Sequence, residues 1–247
     1  MSAPDMSAPV LRLNPRLDVA ALAAIYARDG VVQIPDAFET ATAQALTEML
    51  ERGIDWDLAF QDADGAKALT QAAIAVMGEA ELRRRLQAMI ERTGEGYGFI
   101  YRSYPMITAY LEGRDPGHAI HQFTEFLNGE FVQFGKAVTG LGQIAKADGQ
   151  ATQYRPGDFI GKHNDVGSED SDRLVAYTFG FTRRWRPDWG GQLLFHDDAG
   201  DVTRGLSPRW NTLTLFSVPQ SHSVAPVAAY ARAPRLSIVG WLRNVGG

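Results

Sequence analysis

Six short runs in the second half of the chain, 151–160, 173–182, 191–196, 211–218, 221–227 and 235–243, alternate apolar with polar or small residues and are separated by Gly, Pro, Asp and Asn. Successive side chains on a strand point to opposite faces, so each run offers one face to a core and turns the other away. Several such strands with turn chemistry between them predict an all-β sandwich or jelly roll over 151–247.

The preceding half is different. Residues 18–28 carry apolar side chains at helical spacing after Asn14-Pro15 and stop at Gly30, and 40–52 is dominated by the helix formers Ala, Leu, Met and Glu. Between them 31–34 is a β-branched run closed by Pro35. Residues 53–65, rich in Asp and aromatics, are expected to form a loop over a binding site. A helix is expected over 67–93, ending at Gly94 and Gly96, then a strand over 96–104 and a helix from 118 to 138 that ends at Gly140 and Gly142. Helices followed by strands predict an α+β fold with the helices packed on one face of the jelly roll. No convincing linker interrupts 11–247, so one domain is expected, with 11–150 as helical support carrying early strands and 151–247 as its core. The duplicated Met-Ser-Ala-Pro at Met1 and Met6 marks 1–10 as a disordered leader.

Composition narrows the chemistry. A net charge of −5 argues against a general nucleic-acid surface. With no cysteine in the chain, any metal must be held by nitrogen and oxygen, and no disulfide framework exists. No run approaches the ~20 apolar residues of a membrane span and no signal-peptide pattern opens the chain, so a cytoplasmic location is expected. Oligomeric state is not legible.

His163 and Asp165 lie two apart after the extended run 154–160, and i and i+2 on a strand share a face, so an imidazole and a carboxylate would converge on one ion if the strand persists. His222 follows 59 residues after His163, in another alternating run. Two histidines and one carboxylate are the facial triad that leaves coordination positions open on ferrous iron. Arg235, 13 residues past His222, is suited to hold a carboxylate by two parallel hydrogen bonds, with Ser237 on the same strand face.

These residues, with Tyr154-Arg155-Pro156-Gly157-Asp158-Phe159, Trp189-Gly190-Gly191-Gln192-Leu193, Asn211-Thr212-Leu213-Thr214-Leu215-Phe216 and Arg235-Leu236-Ser237, resemble in content, order and spacing the Fe(II)/2-oxoglutarate-dependent dioxygenases, in particular their prolyl 4-hydroxylase-like branch. The resemblance covers the C-terminal third of the chain. It implies a double-stranded β-helix and a single dioxygenase domain over 11–247. It also implies Fe(II) on His163, Asp165 and His222, 2-oxoglutarate held by Arg235 and Ser237, O2 as oxidant and ascorbate as a further candidate cofactor. The implied reaction hydroxylates a C–H bond, foremost that of a prolyl residue in a peptide or protein, with release of succinate and CO2. A carboxylate at Asp165, where halogenating relatives vacate the position for chloride, favours hydroxylation. The family often places a tyrosine near Tyr154 that reaches the oxo-acid, and Tyr177 is a second candidate; the familiar Tyr-Leu-Asn is replaced here by Gly180-Phe181-Thr182.

Blander readings stand beside these. A lone His-x-Asp is a common polar strand end, and Tyr154 could equally fill a core. His118 and His121, with Glu125, suit a helix start better than a metal clamp. His196-Asp197-Asp198 reads as an exposed turn. Arg183, Arg184 and Arg186 around Trp185 either meet an acidic substrate or face solvent. Fold does not fix substrate. A small-molecule or free amino-acid oxygenase, which would close its pocket, and a non-catalytic β-sandwich binding module both remain open.

Overall fold

The computed structural model describes residues 11–166 and 172–244, so the leader expected over 1–10 lies outside the described residues. The first helix, α1 (Val19–Asp29), is capped by the Asp18 carboxylate, which accepts the Ala21 N–H, and ends at Gly30 in the left-handed region. Strand β1 (Val31–Pro35) and helix α2 (Thr40–Arg52) follow as expected.

The next segment corrects the sequence reading. In place of a loop over 53–65, β2 (Asp57–Asp62) and β3 (Gly65–Leu69) form an antiparallel hairpin, and β2 also pairs with β4 (Phe99–Tyr104). Leu58 and Phe60 bury against Met89 while Ala59, on the opposite face, packs with Phe99 and Tyr101. With both faces covered, the alternation that marks a half-buried strand is erased. The single helix expected over 67–93 is also divided. Thr70 caps α3 (Gln71–Met77), and Gly78, at φ 83°, separates it from α4 (Glu79–Thr93).

Three helices, α5 (Met106–Leu111), α6 (Ile120–Phe126) and α7 (Val132–Thr139), complete the helical layer, the last two joined through a π-turn at Leu127–Phe131. The strands that follow are β5 (Ile144–Ala147), β6 (Gln150–Tyr154), β7 (Phe159–His163), β8 (Arg173–Phe181), β9 (Leu193–His196), β10 (Val202–Leu206), β11 (Trp210–Ser217), β12 (His222–Val224) and β13 (Arg235–Asn244). The run 151–160 is thus two strands. Between them Gly157 takes φ 91° and the Asp158 carboxylate accepts the Arg155 N–H at 2.8 Å. Strand β10 escapes the pattern because most of it is exposed and it carries no apolar face.

Hydrogen bonding runs in the order β1-β11-β8-β13-β6-β4-β7-β12-β9-β10. The major sheet is β1-β11-β8-β13-β6 and the minor sheet β7-β12-β9-β10. Strand β4 pairs antiparallel with both β6 and β7, so the two are one surface curled over itself, a jelly roll. One face of the major sheet carries Val175, Phe179, Phe181, Leu213, Leu215 and Ile238, which pack against Leu50, Ile120, Phe123 and Phe131 of the helical layer. The helices therefore cover one face of the major sheet.

The alternate residues of those strands point into the barrel. Pairing sets them in rows: Phe216–Ala176–Trp241, Thr214–Thr178–Val239 and Thr212–Gly180–Ser237 across β11, β8 and β13. Small and hydroxylated residues in the middle of these rows leave the interior partly hollow.

Candidate active site

A cavity of about 340 Å³ occupies that interior, within the range of small-ligand pockets. His163 closes β7 and His222 opens β12, and the two are direct cross-strand partners. Each imidazole is oriented by a main-chain carbonyl two residues earlier: His163 Nδ1 lies 2.9 Å from Gly161 O and His222 Nδ1 2.7 Å from Gln220 O. A carbonyl only accepts, so both Nδ1 atoms carry the proton and both Nε2 atoms present a lone pair. Burial, followed by the neighbouring His163, holds the His222 pKa down at about 4, which keeps that ring neutral.

Asp165 reaches the pair by a route the spacing argument did not foresee. Strand β7 stops at His163, and Asp165 adopts φ 61°, a left-handed conformation that Asp tolerates better than most residues. The Asn164 side chain accepts the Val166 N–H at 3.1 Å and fixes the bend. One Asp165 oxygen stands 3.4 Å from His163 Nε2 and the other 3.4 Å from His222 Nε2. With ligand bonds of about 2.0–2.2 Å, donors at right angles around one ion sit about 3 Å apart. The three donor atoms lie within 4.8 Å of one another, and the carboxylate is only 8% exposed. Two neutral nitrogens and one carboxylate, with no thiolate, are a donor set that fits ferrous iron.

The residues proposed for an acid lie on the major sheet. Arg235 opens β13 opposite Tyr154 of β6, its guanidinium 5.0 Å from the centre of the Tyr154 ring. It is 5% exposed and lines the cavity, and among the described residues no carboxylate lies within ion-pair distance of it. Burial lowers its pKa. Tyr154 lines the same cavity and stacks on Tyr101 at 5.0 Å. Ser237 is placed differently: its hydroxyl is 2.8 Å from Thr152 Oγ1, and it borders a second, smaller cavity of about 30 Å³ that Arg235 also touches. The Tyr177 ring belongs to the helix-facing core and its hydroxyl donates to Asp148 O at 2.6 Å.

Among the cavity residues that went unnoticed in the sequence are Arg173 and Trp241. The Arg173 guanidinium lies 3.7 Å over the Trp241 ring, and its Nη1 donates to the Asp165 carbonyl at 3.2 Å. Trp241 shares the 235, 237, 239 face of β13, so the period of that strand carried a signal for it. The remaining candidates lie elsewhere. His118 Nδ1 accepts the Ile120 N–H at the start of α6, and His121 is 2.6 Å from Arg114 O. His196 is not in an exposed turn: it ends β9, half-buried, 2.8 Å from Ser223 Oγ, because β12 covers it. Arg183 approaches Glu51 at 3.5 Å and Arg186 pairs with Asp188 at 2.9 Å, and neither they nor Arg184 lines the cavity.

Residues 149–243 match the family model described as the 2OG-Fe(II) oxygenase superfamily, a stretch that runs from β6 to β13 and includes His163, Asp165, His222 and Arg235. This segment is a 2OG-Fe(II) oxygenase domain. A relative of the oxygenase domain is the prolyl 3-hydroxylase OGFOD1 of Xenopus laevis, 30% identical over 141 residues that make up 54% of this chain. The match spans about a quarter of that relative's length, 27%. Among solved structures, a Pseudomonas putida prolyl-4-hydroxylase superposes with a TM-score of 0.59 at 20% identity, covering 92% of this chain and 98% of that one. A prolyl hydroxylase from Trichoplax adhaerens, in complex with a hypoxia inducible factor oxygen degradation domain peptide fragment, gives 0.59 at 16% identity, covering 92% and 89%. At those identities the likeness carries the fold of the oxygenase domain and its helical layer. Among the described residues no helix is long and apolar enough to cross a membrane.

Proposed function

We propose that this protein is an Fe(II)- and 2-oxoglutarate-dependent dioxygenase that hydroxylates a C–H bond, foremost of a prolyl residue in a peptide or protein. One observation carries the reading. Two imidazole lone pairs and the Asp165 carboxylate converge in a cavity that also holds a buried arginine with no carboxylate partner among the described residues.

His163, Asp165 and His222 would hold the iron, which supplies open coordination positions for an oxo-acid and O2 when bound. Arg235 would take the far carboxylate of 2-oxoglutarate, since a buried guanidinium facing a cavity is stabilised by a planar anion that accepts two of its hydrogen bonds. Tyr154 and Tyr101 form an aromatic wall beside it and exclude water from the acid. Arg173, anchored on Trp241 and on the Asp165 carbonyl, holds the bend that carries Asp165.

The cavity reaches the surface beside Tyr97 and Val166, which are 46% and 53% exposed, so a residue still attached to a chain could enter. That opening, together with the prolyl hydroxylases among the relatives, supports a peptide or protein substrate over a free amino acid. The test is succinate release with Fe(II), 2-oxoglutarate and ascorbate against a panel of proline-containing peptides, with free amino acids alongside. Turnover above the uncoupled rate is expected with peptides. Turnover with free amino acids alone would reassign the substrate, and failure to bind both iron and 2-oxoglutarate would leave a binding module.

A further inference from the structure

A carboxylate offers about four lone-pair positions, and a guanidinium that grips it side-on satisfies two. Within a buried site the others need donors of their own. Most hydroxyls of the barrel wall are already committed. Ser237 shares a hydrogen bond with Thr152, Thr182 donates to Leu236 O at 3.3 Å, and Thr212 donates to Trp210 O at 3.1 Å. Tyr154 lies against Arg235 itself.

Among the described residues the hydroxyls of Thr178 and Thr214 make no such hydrogen bond, and of the two only Thr178 borders the larger cavity as well as the smaller. Thr178 sits mid-strand in β8, flanked by Thr214 of β11 and Val239 of β13, where the face opposite the helices looks into the barrel. Both neighbouring strands are in place, yet the residue is only half-buried, and its open side faces the cavities. It borders both the larger cavity and the smaller one, as does Arg235. The next rung on this face, Gly180, sends nothing into the space, and a Cβ there would overlap the Arg209 carbonyl.

We propose that Thr178 is the second group that holds the far carboxylate of 2-oxoglutarate, its hydroxyl donating to an oxygen that Arg235 leaves free. This rests on the reading of the cavity as a 2-oxoglutarate site. Ser237, which the family resemblance implies for the role, shares a hydrogen bond with Thr152 of β6 and borders only the smaller cavity.

The test is calorimetric binding to the Mn(II)-loaded protein, without turnover, using 2-oxoglutarate and pyruvate. Pyruvate shares the keto-acid head and lacks the far carboxylate. Thr178→Val keeps the shape and removes the donor. It is expected to weaken 2-oxoglutarate about tenfold or more and to leave pyruvate unchanged. Thr178→Ser restores the donor and should stay within about threefold of the parent, and Ser237→Ala should do the same. A Thr178→Val protein that binds 2-oxoglutarate as tightly as the parent, or loses pyruvate in equal proportion, overturns the assignment and leaves the wider reading standing. A parent protein that binds no 2-oxoglutarate overturns both.

Discussion

At the scale of single residues, the site depends on which nitrogen of each histidine is free. Gly161 and Gln220 settle that by occupying Nδ1, which makes each imidazole a fixed donor. His222→Ala removes one of three donors, and Mn(II) affinity measured by calorimetry should fall about a hundredfold or more, since even outer-shell changes cost 10–100-fold. Arg235→Ala should leave metal affinity near that of the parent while weakening 2-oxoglutarate by about tenfold to a few hundredfold, from charge-assisted bonds of about 1.5–3 kcal/mol. An unchanged affinity for 2-oxoglutarate would remove Arg235 from the role. Spacing in the chain pointed to His163, Asp165, His222 and Arg235 because their chemistry is written in residue type. It did not reveal the left-handed turn at Asp165, which depends on the strand ending, nor the hydrogen bond between Ser237 and Thr152, which depends on a partner 85 positions away.

At the scale of elements, legibility followed burial. The strands of the major sheet turn an apolar face to the helices and set Thr, Gly and Ser among the residues facing the barrel interior, so β8, β11 and β13 alternate and could be located from the pattern. The β2–β3 hairpin was misread because β2 is covered on both sides, and β10 because it is hardly covered on either. The seam between helices and sheet is aromatic: Phe179 packs within 5.0–6.1 Å of Phe38, Phe123, Phe126 and Phe131, ring centre to ring centre. Truncation there leaves a cavity that rigid neighbours cannot fill. Phe179→Ala should therefore destabilise the fold by about 3–5 kcal/mol, read as a lower urea midpoint with an unchanged slope.

At the scale of the whole molecule, the proposed metal ligands belong to the minor sheet and the proposed acid anchors to the major one. Ligands that bind only the folded chain stabilise it by mass action, about 2.7 kcal/mol at a hundredfold excess over Kd. Mn(II) with 2-oxoglutarate should raise Tm by about 5–10 °C, and a chelator should reverse the shift. A Tm indifferent to both would contradict the site. The division of labour between the sheets also bears on motion. Strand β4 binds the two sheets along one margin, as a spine binds two covers, while β1 and β10 end the surface at its far margins without pairing to each other. A dicarboxylic acid gripped by iron on one cover and by arginine on the other would act as a clasp, and the empty protein should breathe most along the unbound margin.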